Sequence, residues 1–243
     1  METLKRYKYH ILALVFLLSL LVVGTKTKQA HVSQSADELP TVGHLQFNHA
    51  LELFPSEKSS LAMLAAGNTD MREFILNLVK KSLPQEQQAM AFAVAHAVIS
   101  EANHNRLDPL FLLAVISTES HFNNNARGSH GELGLMQVLP STANWLSAQA
   151  GIPANSDLHD PAINIRLGAT YFAFLRHSFK HKSKHYLAAY NMGALNVRRL
   201  LAEDTEPAVY PARVMDNYEQ IYLTLRDSGE APVVIHRTMA SVQ

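Results

Sequence analysis

Three short stretches carry residue types suited to acid–base chemistry on a bound ligand. The first, Thr118-Glu119-Ser120-His121-Phe122, closes a helical pattern opened by Asp108-Pro109 and filled by Leu112, Leu113, Val115 and Ile116. A carboxyl there faces the negative pole of the helix dipole and follows an apolar run, and both influences favour its protonated form. That form is what a general acid needs. A solvated helix-end glutamate is the plain alternative, but the helix before Glu119 is too apolar for a surface element. The second stretch is Gly131-Glu132-Leu133-Gly134-Leu135-Met136-Gln137-Val138-Leu139-Pro140. Its glycines let the backbone turn and approach a ligand, Gln137 both donates and accepts, and Met136 offers an adaptable apolar wall. In the third, Ala188-Ala189-Tyr190-Asn191-Met192-Gly193, a helix stops and Gly193 takes the turn, so Tyr190 and Asn191 can point into a cleft.

The elements that must position these residues read as helices. A helix begins at Pro84 and runs to about Asn103 through Phe92, His96 and Ile99. Asp108 then caps the next one, with Pro109 in the first turn, where its missing N–H costs nothing. Asp160-Pro161 repeats the device and opens a helix to about Phe179; further helices cover 186–190, 197–201 and 211–225. Between Leu45 and Leu83 the spacing of Phe74, Ile75, Leu78 and Val79 predicts short helices. No segment alternates with period two, so the class is all-α.

Composition narrows the partners. The chain has 243 residues, enough for one good-sized domain with a small segment in front of it. Lys plus Arg and Asp plus Glu both total 21, which gives no basis for nucleic-acid binding and suits a neutral polymer. With no Cys, the chain has neither disulfides, a thiolate metal site, a Cys nucleophile nor a lipid-modified cysteine. Lys5, Arg6 and Lys8 precede an apolar run from Ile11 to Val23, the pattern of a secretory signal cut after Gly24, with a short uncleaved anchor as the alternative.

Taken together, Glu119-Ser120, Gly134-Leu135-Met136-Gln137 and Ala189-Tyr190-Asn191 with Gly193 resemble the soluble lytic transglycosylase family, whose catalytic domain is related to goose-type lysozyme. Asp108-Pro109, Pro140-Ser141-Thr142-Ala143, Asn164 with Gly168, and Tyr210-Pro-Ala-Arg-Val214 add to the likeness, which covers about Ala89 to Leu223. The resemblance implies an all-α, lysozyme-like fold with a groove for peptidoglycan glycan strands. It makes Glu119 the single acid and base that cleaves the MurNAc–GlcNAc bond without water, leaving a 1,6-anhydro sugar. Tyr190 and Asn191 are then expected to orient Glu119 or the substrate's acetamido group, and Met136 and Gln137 to line the groove. The family's usual serine position holds Gly128; Ser120 or Ser129 is the candidate substitute, and Ser120 is grouped with the substrate-binding residues. Glu132 replaces a common Ala and either approaches the cleft, where it could position a water for hydrolysis, or pairs with Arg127; a surface position is expected, since an unpaired Glu is rarely buried.

The implied organisation is a signal peptide or short anchor at 1–24, a linker at 25–44, a helical segment of unknown role at 45–88, a catalytic domain at 89–228 and a tail at 229–243. The protein is expected to be exported to the periplasm or cell envelope, with a possible membrane tether and no cofactor or metal. A hydrolytic muramidase or chitinase is the enzymatic alternative, and a non-catalytic peptidoglycan-binding component of an envelope machine is the other. His177, His181 and His185 fall at helical spacing, but Lys180, Lys182 and Lys184 between them would repel a cation. Trp145 suits sugar stacking or packing equally, and Tyr186 suits groove or core equally.

Overall fold

The computed structural model describes residues 47–53 and 69–227, all within one unit spanning Leu39–Gln243. The expected signal or anchor, linker and tail lie outside the described residues. Among those described, no helix is long and apolar enough to cross a membrane.

Most of the described residues are helical, as their spacing predicts. The helices are α1 (Phe47–Leu53), α2 (Thr69–Ser82), α3 (Ala91–Asn105), α4 (Pro109–Ser120), α5 (Pro140–Ala150), α6 (Pro161–Ser178), α7 (Ser183–Met192), α8 (Ala194–Ala202) and α9 (Val209–Asp227). Among the described residues, extended pairing is confined to isolated bridges of Leu133 with Arg127 and Val138. Helix α4 forms the centre: every residue from Pro109 to Ile116 is buried. Helix α9 packs along α4, and α6 packs along α3. Both Asp-Pro starts form as expected. Asp108 Oδ1 accepts the Leu110 N–H at 2.8 Å, and Asp160 Oδ1 accepts those of Ala162 and Ile163 at 2.8 and 3.2 Å.

The helix expected from Pro84 departs from expectation. Residues Gln85–Met90 form a 3-10 helix, and α3 begins at Ala91. Gln87 is buried there; its Nε2 donates to Asn123 Oδ1 at 2.9 Å and its Oε1 accepts the Asn124 N–H at 2.8 Å. This turn therefore braces the loop that follows α4. Helix α7 also starts earlier than expected, at Ser183.

Residues before Ala89 share the core. Met71, Phe74, Ile75, Val79 and Leu83 are buried in the same cluster as α4. His49 is fully buried, its Nδ1 accepting the Asp108 N–H at 3.0 Å and its Nε2 lying 2.9 Å from the Tyr186 hydroxyl. An acceptor at Nδ1 places the proton of the neutral ring on Nε2. Tyr186 thus belongs to the core rather than to a groove. Glu52 holds Arg176 through both oxygens and also meets His181, while His185 meets Glu206, so His181 and His185 lie against carboxylates.

Candidate active site

The end of α4, the loop from Gly128 to Leu139, and the α7–α8 junction meet around a cavity of about 740 Å³. Glu119, Gln137, Tyr190 and Asn191 all line it, together with Ser129, Glu132, Thr142, Tyr171 and Asn196. Four of the six residues singled out from the sequence therefore converge. Ser120 and Met136 do not reach the cavity. The Ser120 hydroxyl is buried and donates to the Ile116 carbonyl at 3.1 Å, and the Met136 side chain is fully buried.

Glu119 is partly buried in the last turn of α4, and its Oε1 accepts the Tyr210 hydroxyl at 2.5 Å. Its carboxyl is held above the usual carboxylate range, chiefly by burial, against the opposing pull of the Tyr210 hydrogen bond and the Arg213 charge; the Glu132 charge pushes it further up. Burial also pushes the Tyr210 phenol well above its ordinary value, as does the neighbouring Glu119, so it stays a donor. Tyr210 is buried at the start of α9, and the exposed Arg213 guanidinium lies 5.7 Å from its ring centroid.

Tyr210, not Tyr190, contacts the acid. The Tyr190 hydroxyl donates to the Met136 carbonyl at 2.8 Å, and its ring stacks on Phe172 with centroids 3.9 Å apart. Tyr190 ties α7 to the loop. Sequence reasoning noted Tyr210 only as part of a familiar run and gave it no role; its position at the head of the last helix was the available signal.

The loop owes its shape to Asn164. Asn164 Oδ1 accepts the Met136 N–H at 2.8 Å, and its Nδ2 donates to the carbonyls of Leu133 and Leu158 at 2.8 and 2.9 Å. Gly134 has φ +77°, and a Cβ there would lie 2.4 Å from Asn164 Nδ2, so both its conformation and the close approach require glycine. Gly168 on α6 leaves room for Met136, whose sulfur would lie 2.5 Å from a Cβ at that position. Gln137, with φ 48°, donates its amide to the carbonyls of Gly134 and Ala126 at 2.8 and 3.1 Å.

Glu132 overturns its surface reading. It lines the cavity with a side chain 24% exposed, and its Oε2 accepts the His130 N–H at 2.9 Å. A Cβ at Gly128 would lie 2.2 Å from that same oxygen. The carboxylate therefore fills the space a side chain at position 128 would take, and the two departures from the family pattern compensate each other. Arg127 instead meets His159, Nη2 to Nε2, at 3.1 Å.

A family model described as Transglycosylase SLT domain matches residues 96–210. A curated relative, "Membrane-bound lytic murein transglycosylase C" from Actinobacillus succinogenes, is 34% identical over 130 residues, covering 49% of this chain and 36% of its own length. The protein of the same name from Sodalis glossinidius is 30% identical over 173 residues, covering 67% and 48%. The chain thus spans less than half the length of either relative. Among solved structures, an inactive mutant of the lytic transglycosylase Slt from Pseudomonas aeruginosa aligns with a TM-score of 0.48 and 29% identity, over 75% of this chain and 32% of that one.

Proposed function

We propose that this chain is a peptidoglycan lytic transglycosylase acting at the cell envelope, with Glu119 as acid and then base, a reading supported by the match of residues 96–210 to the Transglycosylase SLT domain model. The observation that carries this reading is the Glu119 carboxyl on the cavity wall, its pKa raised by burial and its Oε1 anchored by the Tyr210 hydroxyl.

With Oε1 engaged, the acidic proton sits on Oε2. Glu119 delivers it to the glycosidic oxygen between MurNAc and GlcNAc as the C1–O bond breaks, and GlcNAc leaves with a free 4-hydroxyl. The substrate's own acetamido group stabilises the positive charge at C1. The Glu119 carboxylate, favoured at this stage by Tyr210 and Arg213, then takes the proton of the MurNAc 6-hydroxyl as that oxygen bonds to C1. The proton count closes without water, and the product is a 1,6-anhydro sugar. Asn191 and Gln137 line the strand's path, while Ser120 and Met136 support it from behind. The test is Glu119→Gln, expected to keep the helical circular dichroism and lose release of soluble fragments from peptidoglycan sacculi. Continued release would remove Glu119 from the mechanism.

Glu132 favours a second reading in the same cavity. A second carboxylate there can hold a water for attack at C1, giving a reducing-end sugar as ordinary glycosidases do. If it does so, Glu132→Gln eliminates that product while leaving the anhydro product.

A further inference from the structure

Trp145, the chain's only tryptophan, stands on α5 with 57% of its surface exposed. Its ring is perpendicular to those of Phe174 and Tyr171 on α6, with centroids 4.9 and 6.3 Å away and interplanar angles of 88° and 86°. Those two rings are nearly parallel to each other, at 11°. Two side chains of a neighbouring helix thus fix the plane of a large aromatic ring that nonetheless remains mostly uncovered. A ring recruited only for packing would gain from being covered.

The patch is continuous with the cavity. Tyr171 belongs to the cavity wall, and so does Thr142, one helical turn before Trp145 on α5. A polymer that leaves the cavity on the side of Thr142 and Tyr171 meets the ring. Sugars present an apolar C–H face that an aromatic plane covers, and their hydroxyls stay hydrated at the rim. No step assigned above involves Trp145.

We infer that Trp145, held by Tyr171 and Phe174, is a sugar-binding subsite beyond the cavity that captures the glycan strand and gives preference for long chains without entering the bond-breaking step. This rests on the glycan reading of the cavity.

The single tryptophan makes the test direct. Full-length protein carrying Glu119→Gln is titrated with a peptide-free MurNAc–GlcNAc tetrasaccharide and with long peptide-free strands, following tryptophan emission with calorimetry in parallel. Long strands are expected to shift the emission to the blue and to bind about tenfold tighter than the tetrasaccharide, the size of one good stacking contact. Trp145→Ala, added to that variant, removes the length preference, and Trp145→Phe retains part of it. In the otherwise unaltered protein, Trp145→Ala leaves turnover of short substrates unchanged. Strand binding seen by calorimetry with no change in emission overturns the subsite, as does a length preference that survives Trp145→Ala. No calorimetric binding of either glycan would overturn the subsite together with the glycan reading beneath it. Binding of a protein partner through this ring, with strand affinity unaltered by its removal, would also reject the subsite while sparing that reading.

Discussion

Three charged or polar neighbours act on one carboxyl, and their signs are separable by mutation. Glu119 must be protonated to act, so activity is lost as pH rises through its pKa. Glu132 raises that pKa and Arg213 lowers it. Glu132→Gln is therefore expected to move the alkaline limb of the kcat profile to lower pH, and Arg213→Ala to higher pH; shifts of the same sign in both would contradict the arrangement. Tyr210→Phe removes a hydrogen bond that lowers the pKa, so the limb moves up while kcat falls by about 10- to 100-fold from lost orientation of the acid. The burial of Glu119 was legible because Leu110 to Ile116 form an apolar run directly before its turn. Tyr210 was not, because it arrives 91 residues later from another helix. Glu132 was misplaced because the rule for lone glutamates ignores the space left by a missing side chain at Gly128.

Among the elements, the loop between α4 and α5 depends on one side chain that is not part of the cavity wall around Glu119. Asn164 is fully buried and bonded through both amide atoms to the backbone of Leu133 and Met136 at the Gly-Leu-Met-Gln turn and to that of Leu158 in the loop before α6. Asn164→Ala would leave the Met136 N–H and the Leu158 carbonyl without their partner, while the Leu133 carbonyl keeps the Val138 N–H, at a cost of about 3 kcal/mol. Urea unfolding measures this, and a cost below about 0.5 kcal/mol, the usual size for a surface change, would show that the loop holds itself. The Asp-Pro helix starts were readable because a cap is a local device of adjacent residues. The 3-10 turn at Gln85–Met90 was not, since Gln87 is recruited by Asn123 and Asn124 of a distant loop. Periodicity reports an apolar face and is blind to such long-range polar partners.

At the scale of the whole molecule, two buried titratable groups at the head of α4 give stability opposing dependences on pH. Burial lifts the Asp108 carboxyl from 3.8 to about 6, despite the Tyr218 hydroxyl donating to Oδ2 at 2.5 Å. A folded pKa above the unfolded one means the native state binds more protons between about 4 and 6, so Asp108 costs stability as pH rises through that window, on the order of 3 kcal/mol in all. His49 works the other way. Burial lowers its pKa well below 6.5, so its neutral ring costs stability as pH falls below that value. Asp108→Asn keeps an N-cap but removes the first effect, and is expected to lose more stability than the unaltered protein on acidification from pH 6 to pH 4 (urea midpoints). An identical slope in both would show that Asp108 is not the group responsible. The helical class was legible throughout, whereas the burial of His49 against α4 was not, because nothing near it in sequence announces partners at Asp108 and Tyr186.

The whole account rests on a proton leaving Glu119 for a glycosidic oxygen and returning from the same sugar. Mass spectrometry of fragments released from sacculi tests this most directly. Products ending in 1,6-anhydroMurNAc, lighter by one water than the hydrolytic product and absent when Glu119 is glutamine, are the expected result. Fragments bearing only reducing-end MurNAc would contradict it.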